Sequence, residues 1–533
     1  MRILLLGSGY FKPWLAKAGA EVAAAGPDPD CELRADPSEV DLSRLAAGMK
    51  PGPDLVLLTD DLGRRVLPWG LERCGLPKVY YGVDAPLNLF WQVHLAHLFD
   101  LVALDQKEEA EKLSARTGRE VLWLPVGVDP SLYEGPPEEE VHDLAFVGTV
   151  EERVRPRRSN ILRLLKERFR VETAGARGQG WLGPGEAARL YRRAGLVLNE
   201  NLFPGVTTRM LEVMAAGGCL FTEEAGNGLT DLFRPGVHYV PYGPPGGPGE
   251  IISQAEHYLN RPEKRKAIAW AGQAECLAKH TIFARAQRLL AAMEEVLAQK
   301  EDRPQGSPKA REMGELAWAT LLTGLRWPER GGERRLARAL LLFKEARRQG
   351  ATKAGLGLAL GLIVLGRSPE AEEVLDRELA RGEAGHRALL ALGMIKLQAG
   401  QEGRAKELLA RAALSIDPEQ KLGPYDQEVL RDRAEFHLVW GRLLDLAGEG
   451  LCPGFNLTGL PTALWWGVEH LSRAVDLAPD RIEPLVCLAE LLDRHGQAAL
   501  SFKIWSKAAG LAPDEERVRL GLEKAGRAGY VGS

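Results

Sequence analysis

The sequence predicts an α/β protein with two tandem Rossmann-like domains, followed by an all-α array of helical repeats. Three observations support this fold class: two successive series of short apolar runs alternate with helical segments, a break rich in proline and glycine separates them, and the last third of the chain has a 34-residue period. Apolar runs without polar alternation are typical of parallel strands that helices cover on both faces.

Length and composition limit the classes of protein to consider. A chain of 533 residues suggests several domains, and 69 basic against 73 acidic residues give a formal charge of -4. No overall positive field would recruit nucleic acid or an anionic membrane. The first apolar run, residues 3–6, is short, and no later run approaches the roughly 18 residues of a transmembrane helix. Six scattered cysteines without a Cys-x-x-Cys pair fit a reducing cytoplasm, so we expect a soluble, cytoplasmic protein.

The first series of apolar runs predicts a parallel sheet in an N-terminal domain, residues 1–135. Its strands are expected at 2–7, 21–26, 54–60, 78–84, 101–105 and 121–127. The segment SLYEGPPEEEVHD at 131–143 then combines glycine, paired prolines and charge, and we interpret it as a hinge between two lobes.

The second series predicts a second Rossmann-like domain, residues 136–300. Its strands are expected at 143–149, 170–175, 196–201, 219–224 and 237–243, with helices such as 160–169 and 183–195 between them. A long helix at about 281–300 closes this domain, and residues 301–330 are interpreted as a linker.

The third region, residues 331–533, has the period of tetratricopeptide (TPR) repeats. The sequence LAPD occurs at 477–480 and again at 511–514. Other matching pairs at this spacing are Gly366 and Gly400, Ala371 and Ala405, Leu375 and Leu409, and Ala474 and Ala508. A period of 34 residues is typical of the TPR helix hairpin. Glycine and proline at 447–462 indicate an inserted loop in one hairpin.

The segment TTRMLEVMAAGG at 207–218 is a candidate nucleotide site. Arg209 and Glu212 are three apart and share one face of a predicted helix, whose start Thr207 or Thr208 can cap. One interpretation is a surface ion pair. The other is a site in which Thr208, Arg209 and the helix N-terminus face a diphosphate while Glu212 accepts hydrogen bonds from a ribose.

Two lobes in series, joined by a hinge and sealed by a long helix, resemble the GT-B architecture of nucleotide-sugar glycosyltransferases. The segments that look like a CgeB-like, spore-maturation-type glycosyltransferase are YYGVDAP (80–86), FDLVALDQKEE (99–109), VLWLPVGVDP (121–130), HDLAFVGTVEERVRPRRSNILRLL (142–165), LVLNEN with TTRMLEVMAAGG (196–218), DLFRPGVHYVPY (231–242) and KHTIFARAQRLL (279–290). The repeats lie outside the resemblance.

This resemblance implies a metal-independent hexosyltransferase-type enzyme of bacterial cell-surface glycosylation. The nucleotide-sugar is its donor substrate on the second domain, no further cofactor is implied, and the first domain is the acceptor side. No cluster of histidines or carboxylates has metal-ligand spacing in the sequence, which agrees with the absence of a metal. The groove of a TPR array is then expected to recruit a protein or glycan acceptor, or another partner.

The resemblance also suggests roles for residues near the donor. Gly148 and Thr149 follow the first strand of the second domain, where glycine lets backbone approach the donor or simply makes a tight turn. Arg155 and Arg158 lie in a basic loop, and either guanidinium can clamp the departing diphosphate, unless the loop is merely solvated.

One departure from the family pattern leaves the chemistry open. Many retaining GT-B enzymes carry a first Glu, seven intervening residues and a second Glu, but here Pro204 occupies the first position and Glu200 comes four residues too early. Asn199 and Asn201 are alternative polar contacts to the sugar. The alternatives to a transferase are therefore a GT-B scaffold that has lost turnover and a GT-B epimerase.

On the first domain, Asp84 ends a predicted strand at the face where the cleft is expected. It resembles an acidic position in the family, where it would position the acceptor or act as a base. Its other interpretation is a cap for the helix that begins near Pro86.

Overall fold

The chain forms two compact units, Met1–Ser307 and Pro308–Ser533. The structure is a computed structural model that describes residues 1–60, 66–150, 156–175, 182–201, 203–224, 226–243, 247–299, 310–326, 331–352, 354–382, 385–401, 403–405, 407–408, 411, 462–494 and 497–530.

The first unit begins with a seven-stranded parallel sheet in the order β3-β2-β1-β4-β5-β6-β7. Its strands are β1 Arg2–Gly7, β2 Glu21–Gly26, β3 Leu33–Arg34, β4 Leu55–Thr59, β5 Lys78–Gly82, β6 Leu101–Leu104 and β7 Leu122–Trp123. The helices between them are α1 Lys12–Lys17, α2 Leu42–Gly48, α3 Ala85–Ala96 and α4 Lys107–Thr117. All six predicted strands are present. The edge strand β3 was not predicted, since two residues make no apolar run.

A second parallel sheet of five strands follows, in the order β12-β11-β10-β8-β9. Its strands are β8 His142–Val147, β9 Val171–Ala174, β10 Ala194–Asn199, β11 Leu220–Glu223 and β12 Val240–Tyr242. Its helices are α5 Pro156–Lys166, α6 Pro184–Arg192, α7 Thr208–Ala215, α8 Leu229–Leu232, α9 Gly247–Leu259 and α10 Pro262–Lys279. Every residue of the central strand β10 is buried, which explains its apolar run. The predicted α/β class with two parallel sheets is confirmed.

The long helix α11, Ile282–Ala298, packs on the first sheet although it follows the second in sequence. Ile282, Ala286, Leu289 and Met293 are buried in the same apolar cluster as the β1 side chains. Ile282 also donates its backbone N–H to the carbonyl of Val128. The chain therefore returns to the first sheet after it has formed the second.

The second unit is helical throughout its described residues. Its helices are α12 Ala310–Arg326, α13 Gly332–Arg348, α14 Ala354–Val364, α15 Ser368–Ala380, α16 Gly385–Gln398, α17 Thr462–Leu477, α18 Ile482–Arg494, α19 Ala498–Leu511 and α20 Glu516–Tyr530. The prediction of a linker over 301–330 was wrong for residues 310–326, which form α12. Ala317 and Leu321 of α12 are fully buried in a cluster with α13, so this segment has an apolar face that a linker lacks.

Residues 34 apart in this unit occupy equivalent environments. Gly366 and Gly400 both follow helical segments with a left-handed backbone, at φ of 72° and 73°, and Ala371 and Ala405 are both fully buried. Leu409 and residues 447–461 of the expected inserted loop lie outside the described residues. The helical nature of this region is confirmed, and its assignment to the TPR class stays a prediction. None of the helices in the described ranges is both long and apolar enough to cross a bilayer.

Candidate functional site

A cavity of about 920 Å³, called the cleft below, lies where the carboxyl ends of the two sheets of the first unit face each other. We call the part built on β1–β7 the first lobe and the part built on β8–β12 the second lobe. The first lobe contributes the loop at 7–10 and residues that follow β4, β5 and β6, and the second contributes residues that follow β8, β9 and β10. Ligands of parallel α/β sheets bind at these carboxyl ends.

The start of α7 faces the cleft. Thr207 occupies the N-cap position, but its hydroxyl donates to Asn199 Oδ1 over 3.4 Å and caps no backbone N–H. Capping by a threonine hydroxyl at this helix start was therefore predicted wrongly, because the Thr207 hydroxyl is turned toward Asn199 and not toward the first N–H groups of α7. Thr207 and Thr208 both line the cleft, which leaves the positive end of the helix directed at it.

Arg209 places a cation in the cleft wall. Its Nη1 donates to Asn199 Oδ1 over 3.2 Å, and its guanidinium lies 4.8 Å from the centre of the Phe146 ring. Gly148 has a φ of 145°, and a Cβ there would lie 2.6 Å from Arg209 Nη2, so glycine provides the space for this guanidinium. Burial and the charge of Arg158 lower the pKa of Arg209. Within the described residues, Arg209 forms no ion pair with a carboxylate.

Glu212 lies one turn after Arg209 and also lines the cleft. Burial raises the pKa of Glu212, whereas the neighbouring Tyr133 hydroxyl and the Arg209 guanidinium lower it in part. The interpretation of Arg209 and Glu212 as a solvent-exposed ion pair is thus wrong, because both side chains are at least partly buried in a cavity wall. Tyr133 was not singled out from the sequence.

Arg158 is buried in an ion pair with Glu200. Its Nε donates to Glu200 Oε2 over 2.8 Å and its Nη2 to the Glu200 carbonyl over 3.0 Å. Its Nη1 donates to the carbonyl of Thr149 over 2.9 Å. A solvated loop is therefore the wrong description of Arg158, and all three of its nitrogens already donate to protein oxygens. Arg155 lies outside the described residues.

The two asparagines lie at different depths. Asn199 is fully buried and does not line the cleft; its Nδ2 donates to Asn201 Oδ1 over 2.9 Å and to Thr222 Oγ1 over 3.1 Å. Asn201 does line the cleft, beside Thr149, and its Nδ2 donates to the Gly205 carbonyl over 3.0 Å. Asn199 therefore orients Arg209, and Asn201 is the one of the pair that a ligand can reach.

On the first lobe, Asp84 lines the cleft in a left-handed backbone conformation with a φ of 49°. The cap predicted for Asp84 is not formed by its side chain. Asp105 takes this place, because its carboxylate accepts the N–H of Asp84 over 2.9 Å and that of Ala85 over 3.3 Å. Burial and the nearby Asp84 raise the pKa of Asp105 to about 7.

Asp105 was missed as a site residue although its sequence carried a usable signal. It directly follows β6, and Asp84 follows β5, the neighbouring parallel strand. Carboxyl ends of parallel strands meet at one edge of a sheet, so an aspartate after each strand predicts two carboxyls at the same edge. Glu200 was dismissed on its spacing, and its partner Arg158 lies 42 residues away in sequence.

Across the part of the chain described, a single group has the geometry of metal ligands. Asp28, Asp30 and Cys31 have ligand atoms within 4.8 Å of one another in the loop after β2, and Asp28 also lines the cleft. These three side chains are partly or fully exposed, and exposed acidic groups are common without an ion. The absence of a metal from the reaction stays a prediction.

Part of the chain resembles a known protein family. Residues 155–291 match a family model described as glycosyl transferase-like. No curated protein matches the chain significantly in sequence.

Three solved structures resemble this chain over a little more than half of its length. A glycosyltransferase from Rickettsia africae is 10% identical with a TM-score of 0.43, and the match covers 56% of this chain and 99% of that one. Sucrose-phosphate synthase from Thermosynechococcus elongatus is 13% identical with a TM-score of 0.41, over 56% of this chain and 100% of that one. Anabaena HepE, in complex with UDP-glucose, is 16% identical with a TM-score of 0.41, over 55% of this chain and 100% of that one.

Proposed function

We propose that this chain is a glycosyltransferase that moves a sugar from a nucleotide-sugar donor to an acceptor. The observation that carries the proposal is Arg209, a partly buried cation without a carboxylate partner among the described residues, at a helix start that faces the cleft. A buried charge needs a counter-charge, and a diphosphate supplies one with several acceptor oxygens. The match of residues 155–291 to the glycosyl transferase-like family supports the same assignment.

The donor then lies against the second lobe. Arg209 and the N-terminal N–H groups of α7 bind the diphosphate, and the Glu212 carboxylate accepts hydrogen bonds from the ribose hydroxyls. Asn201 and Thr149 line the wall where the sugar lies. Arg158 and Glu200 line the cleft as well, and Arg158 holds Glu200 in place and contributes positive charge to the wall.

The reaction breaks the bond between the anomeric carbon and the terminal diphosphate oxygen, and an acceptor oxygen forms a new bond to that carbon. The electron pair of the broken bond stays on the diphosphate, where Arg209 and the α7 dipole stabilise the developing negative charge. The acceptor loses its proton to a carboxylate of the first lobe. Asp84 and Asp105 both line the cleft, and each is a candidate base.

The finer assignments are a CgeB-like, metal-independent, hexosyltransferase-type enzyme of bacterial cell-surface glycosylation that acts in the cytoplasm. We further propose that the C-terminal unit is a TPR array that recruits a protein or glycan acceptor. The equivalent environments of Ala371 and Ala405, and of Gly366 and Gly400, support a 34-residue structural repeat.

The test is calorimetric titration of the full chain with UDP, GDP, ADP and CDP, followed by hydrolysis assays with the corresponding sugar nucleotides. A transferase binds at least one diphosphate and slowly releases it from the sugar nucleotide. An epimerase interconverts the sugars without release, and a scaffold binds without either reaction. If none of the four diphosphates binds, the donor site proposed around Arg209 is wrong.

A further inference from the structure

The two walls of the cleft are joined by the side chain of Gln106, at the start of α4. We infer that Gln106 is a positioning residue that fixes the loop before α7 relative to the carboxylates of the first lobe. The effect of Gln106 on catalysis rests on the proposed function, whereas its hydrogen bonds between the two lobes are a property of the fold.

Gln106 makes a two-point contact across the lobes. Its Nε2 donates to the Val206 carbonyl over 2.9 Å, and its Oε1 accepts the Val206 N–H over 3.1 Å. The side chain thus satisfies both backbone groups of Val206, two residues before α7 begins. Gln106 is 3% exposed, so water does not readily replace these bonds.

Gly205 on the opposite lobe makes this contact possible. Its φ is 153°, and a Cβ at this position would lie 2.3 Å from Gln106 Oε1. Any residue with a side chain would therefore push the glutamine away from Val206, as well as adopt an unfavourable backbone conformation.

The Gln106 amide also contacts the carboxylates of the first lobe. Gln106 Nε2 also lies 3.3 Å from Asp105 Oδ2, which accepts the Asp84 N–H over 2.9 Å. A chain of hydrogen bonds therefore runs from Asp84 through Asp105 and Gln106 to Val206. The candidate bases and the start of α7, which belong to different lobes, are set at a fixed separation by this chain.

A second contact keeps the loop folded without Gln106. Asn227 Nδ2 donates to the Pro204 carbonyl over 3.1 Å and to Glu109 Oε2 over 2.6 Å. Lys107 forms an ion pair with Asp231 across the same boundary. Removal of the Gln106 side chain is therefore expected to loosen the loop rather than unfold the lobe.

The consequence concerns turnover more than donor affinity. The diphosphate and ribose contacts all belong to the second lobe, but transfer requires the acceptor oxygen and the anomeric carbon to approach within about 3–3.5 Å. A misplacement of about 1 Å costs roughly 100-fold in rate. Gln106 therefore affects kcat through the alignment of the donor, on the second lobe, with the carboxylates of the first lobe.

The experiment compares Gln106→Ala with Gln273→Ala in the full chain. Gln273 is a matched control because its Nε2 donates to the Ala215 carbonyl over 3.0 Å, at the other end of α7 and from the same lobe. Hydrogen exchange at residues 203–209 is expected to rise about tenfold in Gln106→Ala and to stay unchanged in Gln273→Ala. Equal hydrogen exchange in the two variants would overturn the inference that Gln106 fixes the loop before α7.

The kinetic measurement uses UDP-, GDP- and ADP-glucose. Gln106→Ala is expected to lower the kcat of hydrolysis roughly 100-fold, with the Kd of the matching nucleoside diphosphate changed by less than about threefold. A Kd that rises as much as kcat falls, or a kcat equal to that of Gln273→Ala, overturns the positioning role. If the wild-type chain binds none of UDP, GDP, ADP and CDP and hydrolyses none of the corresponding sugar nucleotides, the proposed function fails, and the exchange data still decide whether Gln106 joins the lobes.

Gly205→Ala supplies an independent variant from the opposite lobe. It is expected to raise exchange at residues 203–209 and to lower kcat in the same way as Gln106→Ala. The double variant should have no lower kcat than Gly205→Ala alone, because both changes remove the same contact and only Gly205→Ala adds backbone strain. Additive losses in kcat would mean that the two residues act separately and would overturn the shared role.

Discussion

Replacement of Arg158 by methionine should mainly lower stability, whereas replacement of Arg209 should mainly lower nucleotide affinity. Both guanidinium groups lie over the Phe146 ring, 4.8 Å and 5.0 Å from its centre. Arg158 is paired with Glu200 over 2.8 Å, whereas the described residues give Arg209 one hydrogen bond, to the neutral Asn199. Methionine is unbranched and flexible enough to fill either site.

The expected magnitudes follow from these partners. Arg158→Met leaves the buried Glu200 carboxylate with only a longer ion pair, 3.8 Å to Arg157, so we expect a cost near the lower end of the roughly 3–5 kcal/mol of a broken buried pair. Arg209→Met removes a partly buried cation and its one hydrogen bond to a neutral amide oxygen; relief of the cation's desolvation offsets the lost bond, so the unfolding free energy should change by no more than about 1 kcal/mol. Conversely, Arg209→Met loses charge-assisted bonds to the diphosphate worth about 3 kcal/mol in total, a roughly 100-fold weaker Kd.

Thermal unfolding and calorimetry of the full chain measure both quantities. In wild-type protein the unfolding transition that rises when nucleoside diphosphate is added reports the first unit. Arg158→Met should lower this Tm by about 10 °C and Arg209→Met by less than about 3 °C. An equal loss of stability in both variants, or wild-type affinity in Arg209→Met, would refute the proposal that Arg209 binds the diphosphate.

Three further predictions follow from the geometry. Because the pKa of Glu212 is raised, nucleotide affinity should fall as the pH is lowered toward that pKa, and calorimetry should show a flatter pH profile for Glu212→Gln. The pKa of Asp105 is about 7 in the folded chain and 3.8 in its ordinary state. Between these two pH values the folded chain therefore holds a proton on Asp105 that the unfolded chain has already lost. Stability should therefore fall as the pH rises from about 4 to 7, by at most about 4 kcal/mol, and Asp105→Asn should flatten this dependence in urea unfolding. A chain that ends at Ser307, the boundary of the first unit, should still bind nucleotide in calorimetry but lose transfer to its native acceptor; full transfer by this shortened chain would contradict recruitment by the helical unit.

The strands could be predicted from sequence because burial on both faces leaves a local signature. The apolar runs at 2–7 and 21–26 coincide with β1 and β2, and the face shared by Arg209 and Glu212 follows from helical spacing alone. The helix α12 was missed because the Pro/Gly-rich residues just before it were extended into one linker. Its apolar face was nonetheless present in the sequence, at Ala317 and Leu321.

The partners of the site residues could not be predicted, because they depend on contacts distant in sequence. Arg158 and Glu200 are 42 residues apart, and Gln106 and Val206 are 100 apart. Nothing near Gln106 in the sequence marks it as more than the polar residue before a helix. The hydrogen bonds between the Gln106 amide and the backbone of Val206 become visible only when the two lobes are seen packed against each other.

The partners of Glu200 and Glu212 also explain why neither carboxylate neutralises Arg209. Glu200 and Glu212 are the carboxylates whose charges act most on Arg209, yet neither forms an ion pair with it among the described residues. Glu200 is held by Arg158, and Glu212 faces the Tyr133 hydroxyl. Without Arg158, Glu200 keeps only the 3.8 Å ion pair of its Oε1 with Arg157, and we expect its Oε2 to turn toward Arg209 and offset part of that positive charge. Arg158→Met should therefore weaken diphosphate binding even though all three Arg158 nitrogens donate to protein oxygens, and a second change, Glu200→Gln, should restore part of that affinity in calorimetry. An Arg158→Met protein with unchanged affinity would show that Glu200 does not compete for Arg209.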